Sequence, residues 1–111
     1  MAVFHFNQVD VIRLRPGVER RIAHGDHLMM VIIDFKDGPK PEPDPPHAHP
    51  HEQVTYVAAG EVAFFLEGEE THLSPGDMVV VPSGKPHSIQ LLSPYVRLVD
   101  CFTPLREDFL S

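Results

Sequence analysis

The chain has 111 residues, enough for one domain with one hydrophobic core. Its 42% hydrophobic content is that of an ordinary globular protein, and no apolar run approaches the length needed to cross a membrane. A net charge of −7, with few and scattered lysines and arginines, excludes a basic nucleic-acid face, and the single cysteine, Cys101, excludes an intramolecular disulfide.

The first residues, Met1-Ala2-Val3-Phe4-His5, have no basic region followed by an apolar core. No secretory signal is expected, and the expected compartment is the cytoplasm. Twelve prolines and seven glycines then break the chain into short apolar runs, as in an all-β domain. Strands are expected over residues 3–8, 11–14, 19–23, 27–35, 53–58, 61–66, 71–73, 78–81, 87–92 and 96–102. Ala59-Gly60 and Glu67-Gly68-Glu69 read as hairpin turns. Ser74-Pro75-Gly76-Asp77 and Pro82-Ser83-Gly84-Lys85-Pro86 read as tight loops. The proline-rich stretch 37–46 cannot form a ladder and is expected to close over one end. The tail after Pro104 carries about one helical turn around residues 105–109. With no repeat, linker or second domain in view, residues 1–111 are expected to form a single domain, an antiparallel sandwich or small barrel.

The chemistry concentrates in Pro46-His47-Ala48-His49-Pro50-His51-Glu52-Gln53. Residues two apart on a strand point the same way, so a strand here would aim His47, His49 and Gln53 at one point. His87, after the Pro82–Pro86 turn, can join them from a second strand. Three imidazoles and one amide oxygen suit a divalent transition metal. They leave its charge uncancelled, so the open positions favour an anion. The bland alternative, unrelated surface or core histidines, fits lone residues better than this spacing. His51 shares the parity, but Pro50 kinks the chain and places it at the rim or behind the ligands. His5, His24, His27 and His72 lack partner spacing and read as solvated or structural. Met29, Met30 and Met78 read as core.

In Val96-Arg97-Leu98-Val99-Asp100-Cys101-Phe102, one face carries Val96, Leu98, Asp100 and Phe102. An aspartate in an apolar row is costly unless paired or used, so Asp100 is a candidate acid/base. A hydrogen-bonded structural aspartate, or a surface one if the parity is inverted, is the alternative. Arg106 can hold a carboxylate in bidentate fashion or pair with a neighbouring acid such as Glu107 or Asp108. Cys101 faces away from Asp100 and reads as packed rather than reactive.

These residues resemble the two cupin motifs. His47-x-His49-x3-Gln53-x6-Gly60 is similar to the first, spanning about 47–60, with glutamine where many cupins have glutamate and Pro41 where a glycine is usual. Gly76-x5-Pro82-x-Gly84-x2-His87 is similar to the second, spanning about 76–91, with Leu91 in place of the usual asparagine. The resemblance implies a single-domain cupin jelly-roll β-barrel with one metal inside: nickel, zinc, iron, manganese or copper. The glutamine ligand and the tail Asp100-x-Phe102-x3-Arg106 resemble the small cupins of pectin and alginate breakdown that linearise 4,5-unsaturated uronates. That resemblance implies Asp100 as acid/base, Phe102 as a wall for the sugar and Arg106 as a carboxylate anchor. The expected partner is a small anionic sugar, not nucleic acid or membrane. Two other functions stay open. One is a dioxygenase of the quercetin or thiol type, the other a non-catalytic sugar- or effector-binding module. A homodimer is expected, joined through residues 3–6 and 28–35, because an open jelly roll has edges to cover.

Overall fold

A computed structural model describes residues 1–110. Nine strands run in chain order: β1 (Ile12–Arg15), β2 (Val18–His24), β3 (Met29–Phe35), β4 (Glu52–Ala59), β5 (Val62–Leu66), β6 (Glu69–Leu73), β7 (Met78–Val81), β8 (His87–Leu91) and β9 (Val96–Thr103). One helical turn, α1 (Glu107–Leu110), follows. All pairings between strands are antiparallel. A six-stranded sheet, β1-β2-β3-β9-β4-β7, faces a three-stranded sheet, β6-β5-β8. This all-β sandwich agrees with the fold expected from the alternating apolar runs.

Alternation decides which side of each strand is buried. On β4, Gln53, Thr55 and Val57 turn inward while Val54 and Tyr56 stay exposed. On β9, Val96, Leu98, Asp100 and Phe102 are buried, as the sequence predicts. Val18, Val57, Val62, Phe64, Val81 and Leu98 meet between the sheets at one end. Met29, Val31 and Phe102 form a second cluster at the other, with Leu105 and Phe109 packed on it. The polar residues described below lie between these apolar ends.

Several expectations need correction. Residues 3–8 form no strand: Phe6 instead lies under the guanidinium groups of Arg21, 4.0 Å from its ring, and Arg97, 4.7 Å. An aromatic face attracts a cation, and this cap competes with strand pairing. Ala59-Gly60 is not a hairpin, because β4 and β5 belong to different sheets; it is the corner where the chain changes layer. Glu67-Gly68 is a hairpin turn between β5 and β6, with both residues at positive φ. The 37–46 stretch, expected to form no ladder, brings Asp44 and Pro45 to the lining of the cavity described below. It runs beside β8, with Lys40 N donating to Leu91 O and Asp44 N to Ile89 O, each at 2.9 Å. Met29 is core, but Met30 and Met78 are exposed on the outer face.

Gly60 has a specific reason to be glycine. Its φ is +79°, and a Cβ there would overlap the Tyr95 carbonyl oxygen and the Val96 side chain. Gly60→Ala is expected to cost about 2–4 kcal/mol, combining αL strain with backbone displacement. Urea denaturation gives the value, and a loss below about 1 kcal/mol would show that the corner relaxes freely.

Candidate metal centre and its cavity

Backbone hydrogen bonds, not a continuous strand, bring the histidines together. His47 N donates to His87 O at 3.0 Å and His87 N to His47 O at 2.9 Å, an isolated bridge that sets the rings 4.3 Å apart. Gly84 N donates to His49 O at 2.8 Å, tying His49 to the loop before β8. Residues 48–51 are not in a strand, and β4 begins only at Glu52. The expectation of one strand aiming His47, His49 and Gln53 is therefore corrected. Two prolines and the bridge to β8 stop the ladder, and only Gln53 is delivered by β4. The convergence survives: the ligand atoms of His47, His49 and His87 lie within 4.8 Å of one another.

Carbonyl partners fix the imidazole tautomers. A carbonyl only accepts, so Nδ1 of His87 donates to Lys85 O at 2.9 Å and Nδ1 of His49 donates to His51 O at 3.0 Å. The Nε2 lone pairs then face inward. His87 Nε2 is buried and has no hydrogen-bond partner. Burial lowers the pKa of His49, helped by the Arg106 charge, so its ring is neutral. Its Nε2 lies 3.0 Å from Gln53 Oε1. Two lone pairs that close repel unless a cation sits against both. His47, at the exposed rim, is pulled down to about 4 by desolvation, then by His87, His49 and Arg106. The cluster thus brings three imidazoles together, with the buried His87 Nε2 unpartnered, and it fits a divalent transition metal.

A polar chain runs inward from the cluster. Gln53 Nε2 donates to Thr55 Oγ1 at 2.8 Å, and Thr55 Oγ1 donates to Asp100 Oδ1 at 2.7 Å. Thr55 spends its one proton on the carboxylate and must accept from the amide, which turns Gln53 Oε1 toward His49. Asp100 is buried, and desolvation raises its pKa to about 6 despite the Thr55 hydrogen bond and the Arg106 charge.

Asp100, Phe102, Gln53, His47 and His87 line one cavity of about 240 Å³. Phe102 meets the His49 ring edge-on at 5.6 Å. Arg106 is brought near but not into the lining. It holds Asp108 in bidentate fashion at 3.0 and 2.8 Å and stacks on Phe109 at 4.2 Å. The alternative foreseen for it, pairing with a neighbouring acid, is the arrangement observed. His51 stands outside the three-histidine cluster and contributes its backbone carbonyl. His5, His24, His27 and His72 are exposed, and Cys101 is half-buried with a raised pKa from burial and the nearby Asp100. Sequence reading missed Thr55 and Arg20, which also line the cavity. Thr55 shares strand parity with Gln53, which was readable, whereas Arg20 shares it with Val18, which lies just outside the expected strand 19–23.

The cupin-domain family model matches residues 35–96, more than half of the chain. This chain is a cupin. Over 98 residues it is 37% identical to the pectin degradation protein KdgF of Dickeya dadantii, covering 87% of each protein. Its structure superposes on that of KdgF from a Halomonas species with a TM-score of 0.87 at 36% identity, covering 98% of both chains. An RmlC-like cupin from Shewanella frigidimarina gives 0.85 at 33% identity, covering 96% of this chain and 93% of the other. The quercetin 2,3-dioxygenase of Bacillus subtilis is 29% identical over 82% of this cupin, which spans only 31% of that protein. No helix among the described residues is long and apolar enough to cross a membrane.

Proposed function

We propose that this cupin is an enzyme that opens the ring of 4,5-unsaturated uronates to 5-keto-4-deoxyuronates. The observation that carries the reading is a buried carboxylate, Asp100, with a pKa near 6, in the same cavity as His47 and His87, two of the three converging imidazoles. Similarity to KdgF proteins over nearly the whole chain supports it.

His47, His49, His87 and Gln53 would hold the metal, which as a Lewis acid polarises a substrate oxygen. Asp100 takes the proton from the anomeric hydroxyl as C1=O forms. The C1–O5 bond breaks, and its electron pair goes to O5, giving an enolate conjugated to the carboxylate. Protonation at C4 then leaves a ketone at C5. No atom is gained or lost and nothing is oxidised. A group titrating near 6 suits both halves, being charged at neutral pH yet basic enough to carry a proton. Phe102 supplies an apolar wall for the sugar, and Arg106 lends positive charge beside Asp100. The proposed substrate is a monosaccharide already released from polymer, and the cytoplasm is the compartment proposed for its opening.

The test is loss of the conjugated C4–C5 absorbance on metal-loaded protein with lyase-generated unsaturated galacturonate, against a protein-free control. Acceleration without oxygen uptake is expected. Oxygen consumption with no ring opening would move the protein to dioxygenase chemistry. Turnover of neither kind would return it to a binding module.

A homodimer belongs to the same reading, with its surface relocated. β3 is flanked by β2 and β9 and offers no edge, so residues 28–35 cannot pair there, and residues 3–6 are no strand. The outer face of β4 and β7 instead exposes Val54, Tyr56, Met78 and Val80, which the register places side by side. Such a patch on a sheet beside an edge strand asks for cover. Light scattering should give a dimer mass at micromolar concentration and a monomer for Val80→Glu. A monomeric mass for the unaltered chain would refute the dimer.

A further inference from the structure

An acidic protein that takes an anion must present a cation where the anion sits. Two arginines line the cavity, Arg15 and Arg20. Arg15 also has a buried nitrogen without a partner, its Nη2, but its Nε donates to Asp37 at 2.8 Å, so its charge is already paired. Arg106, which the family resemblance would make the carboxylate anchor, gives its Nε and Nη2 to Asp108 and does not line the cavity. Arg20 is differently placed. It lies two residues from Val18 on β2, whose side chain is buried between the sheets. Its guanidinium rests on the Phe109 ring at 4.0 Å, and its Nε is buried with no hydrogen-bond partner. A buried, unpaired donor of a charged group is expensive to leave unsatisfied. Stacking on an aromatic ring leaves the edge of the fork, where carboxylates bind, unused.

The sheet register places Arg20 relative to the reacting groups. Arg20 pairs with Ile33, and Ile33 with Leu98; Asp100 is the next inward residue along β9. Arg20 and Asp100 are thus two strands and one inward step apart, about 12 Å between backbones, with side chains lining one cavity. In a 4,5-unsaturated uronate the carboxylate on C5 and the anomeric hydroxyl on C1 flank the ring oxygen. One group beside Asp100 and the other beside Arg20 is the orientation ring opening needs.

We infer that Arg20 is the residue that binds the substrate carboxylate, and that Arg106, clamped by Asp108, is a positioning residue that holds Phe109 and Phe102. This rests on the uronate reading for the identity of the substrate, and on the cavity alone for the binding of a carboxylate.

The experiment compares the unaltered protein, Arg20→Gln and Arg20→Lys, all metal-loaded. Calorimetric binding of unreactive galacturonate and of its methyl ester is measured beside kinetics on unsaturated galacturonate and its methyl ester. For the unaltered protein the acid is expected to bind about 10- to 100-fold tighter than the ester, with KM showing the same preference. Arg20→Gln should erase that preference in both readouts, and Arg20→Lys should restore part of it. Retention of the full preference by Arg20→Gln, or no preference in the unaltered protein, would overturn the assignment. Carboxylate-selective binding that depends on Arg20, without ring opening, would uphold Arg20 and defeat only the uronate reaction.

Discussion

Asp100→Asn is expected to lower catalysed ring opening by ~10²–10⁴-fold with metal content unchanged, the usual effect of losing one positioned acid/base. The substitution is nearly isosteric, and its amide oxygen can still accept from Thr55, so the chain through Gln53 to the cluster stays in place. What disappears is the ability to take a proton from the anomeric hydroxyl. A second consequence separates this from simple damage to the fold. Folding raises the Asp100 carboxyl from 3.8 to about 6, with desolvation as the cause. Between those values the folded state binds more protons than the unfolded one, so the stability of the metal-free protein falls as pH rises from about 4 to 6. The shift corresponds to about 3 kcal/mol at neutral pH, an upper figure because the buried site can relax. Asp100→Asn removes that cost and should melt higher than the unaltered chain at pH 7 but not at pH 4. A variant that is inactive yet more stable at neutral pH identifies a group kept for chemistry. Full activity with metal bound would take Asp100 out of the mechanism, and lower stability at pH 7 would make it structural.

How far the sequence announced this arrangement depended on the physical origin of each element. β4 and β9 were legible because their alternation is clean, and the same parity that located them placed Gln53 and Asp100 inside. The histidine cluster was legible in content and misread in conformation. His-x-His spacing suggested a strand, whereas the bridge between His47 and His87 and the tie from Gly84 to His49 do the positioning. Such long-range backbone bonds leave no local periodicity. The N-terminal run looked like a strand because Val3, Phe4 and Phe6 are apolar, but the cations that receive Phe6 are Arg21 and Arg97, on distant strands. Arg20 was invisible for a related reason. In Glu19-Arg20-Arg21 every residue reads as surface charge, and only parity with Val18 shows that the middle one turns inward while Arg21 reaches Asp34 outside. Met30 and Met78 were read as core on hydrophobicity alone, which is a poor guide where a sheet has an apolar outer face.

The second large effect concerns the metal. Chelation is expected to return ring opening to the protein-free rate, and His87→Ala to do the same whatever metal is supplied. The reason begins with an energetic conflict in the metal-free cluster. His87 Nε2 is buried without a partner, and His49 Nε2 faces Gln53 Oε1 at 3.0 Å, lone pair toward lone pair. Each unsatisfied buried group costs about 1–3 kcal/mol, and a cation relieves both at once. Metal addition should therefore stabilise the fold as well as activate it. At a free concentration about 100-fold above Kd the linkage gives about 2.7 kcal/mol, roughly a 10 °C rise in Tm for a domain of this size. His87→Ala also creates a cavity beside Phe64, whose ring stacks on the imidazole at 6.2 Å, so its absolute Tm carries no clear message. The informative quantity is the rise on adding metal, which should nearly vanish in His87→Ala and persist in His51→Ala, since His51 lies outside the cluster. An equal rise in His87→Ala would mean that the cation binds elsewhere. Loss of the rise in His51→Ala, with the His49–His51 carbonyl contact intact, would bring the His51 ring into the ligand set.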